Sequence, residues 1–225
     1  MKNVVIIGAT FGIGKASEQL LSSQGWNVFS FSRSADASGG SVWDSTTDVP
    51  DLTHLPDEIN ALVYCPGTIN LKPFKRLTAQ DFLHDFEVNV LGAVKIIQAL
   101  ETRLKVGNAS VVLFSTVAVA QGMPFHASVA ASKAAVEGLC RSLAAEYAPR
   151  IRFNCIAPSL TDTPLAEKLL NTDAKREASV LRHPSKSIGK AEDVAAMVAF
   201  LVSDNAGFIT GQTIGMDGGM STVRI

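Results

Sequence analysis

The chain has 225 residues, of which 47% are hydrophobic and only 18% are charged, so it can bury a substantial core and intrinsic disorder is excluded. Twenty Lys and Arg residues stand against 21 Asp and Glu residues, which gives a formal net charge of −1. Because like charges form no run, the sequence also excludes an electrostatic nucleic-acid binder and a polybasic membrane binder.

Short apolar runs alternate with helix-length segments along the chain. The predicted strands are residues 4–7, 28–31, 61–64, 110–114, 151–156 and 213–216, and the predicted helices are residues 14–24, 79–104, 127–148 and 191–203. These strands recur with helices between them, and they are too apolar for a sheet with one solvent-exposed face. The pattern indicates a parallel sheet covered on both faces. We therefore predict an α/β fold in a single domain, residues 1–225.

Two irregular regions interrupt this alternation, at residues 32–47 and 159–190. The first is small, polar and glycine-containing, with Val42-Trp43 as its only hint of a strand. The second contains Pro164, Pro184, a short helical stretch at residues 165–170 and several basic residues. Long excursions after the carboxyl end of a strand tend to line the ligand crevice, so residues 159–190 are the predicted substrate lid.

Signals for export, membrane insertion and metal binding are missing from the sequence. The apolar run after Lys2 ends at Gly8, and no stretch approaches the roughly 20 apolar residues that span a bilayer. The three cysteines are odd in number and have no metal-ligand spacing. We expect a cytoplasmic protein without a disulfide framework or a metal site.

A glycine-rich loop follows the first predicted strand and precedes the first helix. Glycines at such a turn permit positive φ and let backbone N–H groups approach a phosphate, while the helix N-terminus adds partial positive charge. A tight turn without a ligand is the alternative interpretation. The loop predicts a dinucleotide pyrophosphate site built from Gly8, Thr10, Phe11, Gly12, Ile13 and Gly14.

The glycine spacing resembles the cofactor loop of the short-chain dehydrogenase/reductase family, whose further motifs follow in the same order over nearly the whole chain. These motifs match Tyr64-Cys65-Pro66-Gly67, Val88-Asn89-Val90-Leu91-Gly92, Phe114-Ser115-Thr116, Ala130-Ala131-Ser132-Lys133, Pro158-Ser159-Leu160 with Thr163, Gly189-Lys190-Ala191-Glu192-Asp193-Val194 and Asp217-Gly218-Gly219. Ser159 departs from the glycine of the family's Pro-Gly pair. The resemblance implies a Rossmann-type, doubly wound parallel sheet.

The resemblance also implies roles for the matched residues. Asn89 falls on the family's relay-water asparagine, Thr116 on the serine that positions the substrate oxygen, and Lys133 on the lysine that holds the nicotinamide ribose. Ser115 is the alternative to Thr116. The implied cofactor-binding positions are Cys65, Pro66, Gly67, Asn89, Ser115, Lys133, Pro158, Ser159, Leu160 and Thr163.

The residues after the second predicted strand indicate which nucleotide binds. An acidic side chain there would accept hydrogen bonds from the ribose hydroxyls of NAD, but the chain has Ser32, Arg33 and Ser34. Arginine can pair bidentately with a 2′-phosphate, and the missing carboxylate removes repulsion against it. We predict NADP(H) as the cofactor, with a merely solvated Arg33 as the alternative.

The family usually has a helix between its second and third strands. Only about ten residues separate Arg33 from Asp44, so we predict that this connection is shortened and its helix lost. Asp44 then matches the aspartate that contacts adenine in the family, and Asp48 is the weaker candidate.

Val129 stands four residues before Lys133, where the family has its catalytic tyrosine. Neither Tyr64 nor Tyr147 is placed to replace a phenol one turn before Lys133. The remaining candidates for the proton donor are His126, Ser128, Thr116, a water molecule and a protonated group of the substrate. Val129 is explained by a reductase with a different acid, by a cofactor-binding subunit without turnover, or by an engineered inactive variant.

These observations predict an NADP-dependent oxidoreductase that transfers hydride between NADPH and a carbonyl or alcohol substrate, with altered or impaired proton donation. The chain also resembles 3-oxoacyl carrier-protein reductases in a general way, and this similarity implies that acyl-carrier-linked compounds are among the possible substrates. The alternative is a catalytically inactive, cofactor-binding regulatory or scaffold subunit. As in the family, we expect a homodimer or homotetramer that binds neither nucleic acid nor membranes.

Overall fold

The structure, a computed structural model, describes residues 1–33 and 40–224. Within these ranges, seven parallel strands form one sheet in the order β3-β2-β1-β4-β5-β6-β9. These strands are β1 (Asn3–Ile7), β2 (Asn27–Ser32), β3 (Ser41–Val42), β4 (Ala61–Tyr64), β5 (Ser110–Phe114), β6 (Arg152–Pro158) and β9 (Thr213–Met216). Two short strands, β7 (Thr161–Asp162) and β8 (Gly189–Lys190), pair separately in parallel.

Eight α-helices accompany the strands in the described residues. They are α1 (Gly12–Ser23), α2 (Ala79–Phe86), α3 (Gly92–Val106), α4 (Val117–Ala120), α5 (Ala127–Tyr147), α6 (Glu167–Leu170), α7 (Asp173–Arg182) and α8 (Ala191–Val202). A π-helical turn (Glu87–Leu91) joins α2 to α3, and 3₁₀ turns occur at Phe74–Arg76, Pro164–Ala166 and Asp204–Ala206.

The sheet is buried on both faces, which explains why its central strands are apolar without alternation. On one face, Ile96 and Leu100 of α3 and Val136 of α5 pack into a core cluster with strand side chains. On the other face, a second cluster contains Leu21 of α1 and Val198 of α8. The prediction of a doubly wound parallel sheet with helices on both faces is confirmed.

The strand order reverses direction at β1, whose neighbours are β2 on one side and β4 on the other. In open α/β sheets, ligands bind beyond the carboxyl ends of the strands at such a switch point. The segments that follow β1, β4, β5 and β6 therefore meet at the expected crevice.

The shortened connection after β2 is also confirmed, because β2 ends at Ser32 and β3 begins at Ser41. The predicted loss of the helix falls on residues 34–39, which lie outside the described residues. The next connection, residues 43–60, is described throughout and contains turns but no helix.

Two helical predictions are refined by the structure. The single helix predicted over residues 79–104 is interrupted by the π-helical turn at Glu87–Leu91. The segment predicted as a lid contains the helix α7, which the sequence pattern did not reveal. Thr172 caps the N-terminus of α7 by accepting a hydrogen bond from the Lys175 N–H at 3.3 Å. None of the helices in the described ranges is long and apolar enough to cross a membrane.

Candidate active site

The glycine loop between β1 and α1 has the geometry that its sequence predicts. Gly8 and Gly12 have φ of +84° and +56°, in the left-handed region that favours glycine. A Cβ on Gly14 would overlap the carbonyl oxygen of Gly8, so only glycine lets α1 start this close to β1. Thr10 and Ile13 are partly buried and Phe11 is exposed.

Two other predicted cofactor segments pack against this loop. The Thr163 methyl group lies 3.1 Å from the point that a Cβ on Gly12 would occupy. The Cys65 Cβ and Pro66 Cδ each lie 3.3 Å from the corresponding point on Gly8. The ends of β1, β4 and β6 thus form a cradle of backbone and small side chains, which fits a nucleotide pyrophosphate at the start of α1.

The residues predicted to bind the adenine end of the cofactor follow β2 and β3. Ser32 is buried and Arg33 is exposed, whereas Ser34 lies outside the described residues. Asp44 Oδ1 accepts hydrogen bonds from the N–H and the hydroxyl of Thr46, at 2.9 and 2.8 Å. These bonds, aided by the charge of Arg33, lower the pKa of Asp44. Because Ser32 pairs with Val42, Arg33 and Asp44 follow the ends of neighbouring strands.

A cavity of about 550 Å³ opens between the glycine loop and the segment predicted as a lid, residues 159–190. Its walls include Ile13, Cys65, Gly67, Ser115, Thr116, His126, Val129, Lys133, Pro158, Ser159, Leu160 and Thr163. The structure thus brings together at one cavity residues predicted for cofactor binding and residues predicted for chemistry. Burial raises the pKa of the Cys65 thiol to about 12, so this thiol stays protonated.

Lys133 and Asn89 converge beneath the cavity. The Lys133 Nζ and the Asn89 Oδ1 lie 3.4 and 3.5 Å from the point that a Cβ on Gly67 would occupy. Asn89 donates to the hydroxyls of Ser132 and Thr68 at 2.9 and 3.1 Å, which fixes its amide, and its buried Oδ1 accepts no hydrogen bond from the described residues. Burial lowers the pKa of Lys133 to about 8.

Thr116 begins the short helix α4 at the end of β5. Its Oγ1 accepts a hydrogen bond from the Ala118 N–H at 3.3 Å. The neighbouring Ser115 is buried, and its hydroxyl donates to Glu137 Oε1 at 2.6 Å. Of the two predicted hydroxyls, Thr116 is therefore the one with a proton to offer the cavity.

Val129 occupies the cavity wall one helical turn before Lys133, and it is 6% exposed. Both tyrosines of the chain are engaged elsewhere. The Tyr64 hydroxyl donates to the Val88 carbonyl oxygen at 2.6 Å, and the Tyr147 hydroxyl donates to Glu101 Oε1 at 3.0 Å. Neither phenol lines the cavity.

The other candidate proton donors differ in position. His126 lines the cavity, and its Nδ1 lies 2.7 Å from the Pro124 carbonyl oxygen. Ser128 is buried away from the cavity walls, and its Oγ has no hydrogen-bond partner among the described residues.

Sequence reasoning missed a buried histidine beside this site. His183, which follows α7, lies 2.7 Å from the Ser159 hydroxyl and is 1% exposed. The only sequence signal for this contact is Ser159, which stands at the family's glycine position, and it does not show that His183 is its partner.

Basic side chains of the lid also reach the cavity. Lys168, Lys175 and Arg182 contribute to its walls, and no acidic residue does so within the described ranges. Arg176, by contrast, binds Asp162 at 2.7 and 3.3 Å. No group of three or more His, Cys, Asp or Glu residues is placed to hold a metal ion in the part of the chain that the structure describes.

Comparisons with known proteins agree with this geometry. A family described as Enoyl-(Acyl carrier protein) reductase matches residues 49–221. The 3-oxoacyl-[acyl-carrier-protein] reductase FabG of Thermotoga maritima is 32% identical, over 97% of both chains. The ligand-free aldohexose dehydrogenase of Thermoplasma acidophilum is 29% identical with a TM-score of 0.89, over 99% of this chain and 95% of that chain.

A solved structure with a bound cofactor is similar as well. A variant of the protein ElxO with NADPH bound is 25% identical, with a TM-score of 0.86 over 99% of both chains. The family and the sequence relatives match most of the chain, and the glycine cradle with Asn89, Thr116 and Lys133 agrees with that match. The chain belongs to the short-chain dehydrogenase/reductase family.

Proposed function

We propose that the protein is an NADPH-dependent carbonyl reductase or alcohol dehydrogenase. One observation supports this most: a single cavity is lined by Ile13 of the glycine loop, by Thr116 and by Lys133. The loop would hold the pyrophosphate, Lys133 the nicotinamide ribose, and Thr116 the substrate oxygen. The substrate is a small carbonyl or alcohol compound, and the lid cations support anionic ones, including acyl-carrier-linked substrates.

The site residues divide the chemistry between them. When bound, the dihydronicotinamide supplies a hydride to the carbonyl carbon. The Thr116 hydroxyl accepts from the Ala118 N–H and donates to none of the described residues, so it can donate a hydrogen bond to the substrate oxygen. The Lys133 ammonium stabilises the negative charge that develops on that oxygen. Because Val129 has no proton to give, another group must complete the alcohol.

The preference for NADP(H) is supported by Arg33, which is exposed at the end of β2 with no acidic residue beside it in sequence. Asp44 is held by Thr46 and lies two residues after the end of β3, where it would contact adenine. A guanidinium in this position can pair with the 2′-phosphate that distinguishes NADP from NAD.

The substitution Val129→Tyr tests the proposed function. A phenol here lies one turn before Lys133 on the same helical face. We expect NADPH-dependent carbonyl reduction to rise, by up to about 10²–10⁴-fold where no other group donates the proton and by less where one already does. Val129→Phe is the matched control, since it adds the ring without the hydroxyl. If NADPH binds to Val129→Tyr and no carbonyl compound in a broad panel is reduced, the proposed function is wrong.

A second candidate function is a cofactor-binding regulatory or scaffold subunit. It is favoured by Val129, which places an apolar side chain where the family has its proton donor. This candidate predicts tight NADPH binding without turnover in either the natural chain or Val129→Tyr. In both cases we propose a homodimer or homotetramer.

A further inference from the structure

Ser159 and His183 form a hydrogen-bonded pair at the wall of the cavity. Ser159 follows β6, and its Oγ lies 2.7 Å from the His183 Nε2. The His183 Nδ1 lies 2.6 Å from the Ser179 carbonyl oxygen in α7. Ser159 lines the cavity, whereas the imidazole is buried behind it.

The partners of His183 determine which nitrogen carries a proton. A carbonyl oxygen can only accept, so Nδ1 is the donor to Ser179. In the neutral ring Nε2 is then the acceptor, and the Ser159 hydroxyl donates to it. In the imidazolium, Nε2–H donates to Ser159 Oγ instead, and the serine proton turns to the cavity. Ser159 can therefore pass a proton from His183 to a molecule in the cavity.

The pair is close to the position at which Thr116 would hold a substrate oxygen. β5 and β6 are neighbouring strands with Phe114 opposite Ile156, and the Ser115 N–H donates to the Ile156 carbonyl oxygen at 2.8 Å. Neighbouring strands lie about 4.8 Å apart. Thr116 and Ser159 follow the carboxyl ends of these two neighbouring strands, and both line the cavity.

Two departures from the family pattern thus occur at one cavity. Val129 removes the tyrosine, and Ser159 introduces a hydroxyl where the family has glycine. His126, the other cavity histidine, is held by one contact to the Pro124 carbonyl oxygen at a partly exposed helix start. The Ser159–His183 pair is better positioned, because a buried ring is fixed at both nitrogens.

We propose that Ser159 is the proton donor of the reduction and that His183 supplies it, an inference that rests on the proposed function. As the hydride forms the new C–H bond, the Ser159 O–H bond breaks and the alcohol O–H bond forms. The Nε2–H bond of the His183 imidazolium breaks in turn and restores the serine hydroxyl. Neutral His183 regains its proton from water after the product leaves.

The test is a single-turnover measurement of NADPH oxidation with Ser159→Ala and Ser159→Thr. At saturating NADPH, Ser159→Ala should slow hydride transfer by about 10²–10⁴-fold and should lose the slowing in D₂O that the relay predicts for the natural chain. Ser159→Thr, which keeps a hydroxyl, should restore most of the rate. Ser187→Gly, which alters an exposed lid serine, is the control for unspecific effects. His183→Gln should match Ser159→Ala in rate.

Other results separate this inference from the proposed function. Full activity in Ser159→Ala, or a loss in His126→Gln instead, overturns the serine relay and leaves the reductase standing. An inactive natural chain with an active Val129→Tyr variant also overturns the relay alone. If neither protein reduces a carbonyl compound although both bind NADPH, the proposed function and this inference fail together.

Discussion

Arg33 is the residue on which the proposed cofactor preference depends. Its side chain is exposed, so any pairing with a 2′-phosphate is partly screened by solvent. We expect Arg33→Ala to weaken NADPH binding by roughly tenfold, about 1.4 kcal/mol, and to leave NADH binding nearly unchanged. Fluorescence titration with NADPH and NADH measures the ratio of the two affinities. If Arg33→Ala weakens the binding of both nucleotides equally, Arg33 contributes to nucleotide binding without distinguishing NADP(H) from NAD(H).

The buried ammonium of Lys133 lowers the stability of the folded protein. Burial lowers its pKa to about 8 from the ordinary value of 10.5. The ammonium is therefore less favourable in the folded chain than in the unfolded one, and its penalty is full below pH 8 and fades as pH rises toward 10.5.

The substitution Lys133→Met should consequently stabilise the cofactor-free protein at pH 7. We expect the free energy of unfolding to rise by about 1–3 kcal/mol, and the gain to shrink when the same urea titration is repeated at pH 10. A gain that is equal at both pH values would show that the apolar side chain packs better, with no part played by the buried charge.

At the scale of single elements, the π-helical turn between α2 and α3 brings Gly92 against β4. A Cβ on Gly92 would overlap the Tyr64 hydroxyl and crowd the Ser45 side chain. That close approach lets Tyr64 donate to the Val88 carbonyl oxygen and keeps the turn that carries Asn89 on the sheet. Glycine is thus required here by packing, since its φ of −59° is ordinary for a helix.

Gly92→Ala should therefore destabilise the fold by about 1–3 kcal/mol, the usual cost of overpacking a well-filled core. Removing the Tyr64 hydroxyl in the double variant Tyr64→Phe/Gly92→Ala should recover part of this loss, as measured by thermal and urea unfolding of the single and double variants. Strictly additive effects of the two substitutions would mean that Tyr64 is not the side chain that resists the new methyl group.

The elements also differ in how far the sequence predicts them. The core strands and the helices α1, α5 and α8 follow from their apolar content, because burial against the sheet requires it. The helix α7 is half charged and largely exposed, so it has no apolar run, and in the sequence only the cap at Thr172-Asp173 marks its start. The Ser159–His183 pair joins segments 24 residues apart through the lid fold, a contact that no local pattern contains.

At the scale of the whole molecule, one face of α2 and α5 has features of an interface between copies of the chain. Small side chains are exposed along α5, at Ala127, Ala131, Ala134, Gly138 and Ala145. Nearby in the fold, Leu83 and Phe86 of α2 are 62% and 40% exposed. Small residues allow close helix approach, and exposed large apolar side chains gain stability when a partner covers them.

We therefore expect a dimer or tetramer at micromolar concentration by light scattering, and Ala134→Glu should convert it to monomers. In a two-fold interface the same substitution occurs twice, so two carboxylates would be buried near one another, at a cost of several kcal/mol that weakens association by 10²-fold or more. Ala174→Glu, at an exposed position of α7, is the matched control and should keep the assembly. A natural chain that is monomeric at these concentrations would contradict the predicted interface. If Ala134→Glu keeps the assembly, the interface lies on another face of the molecule.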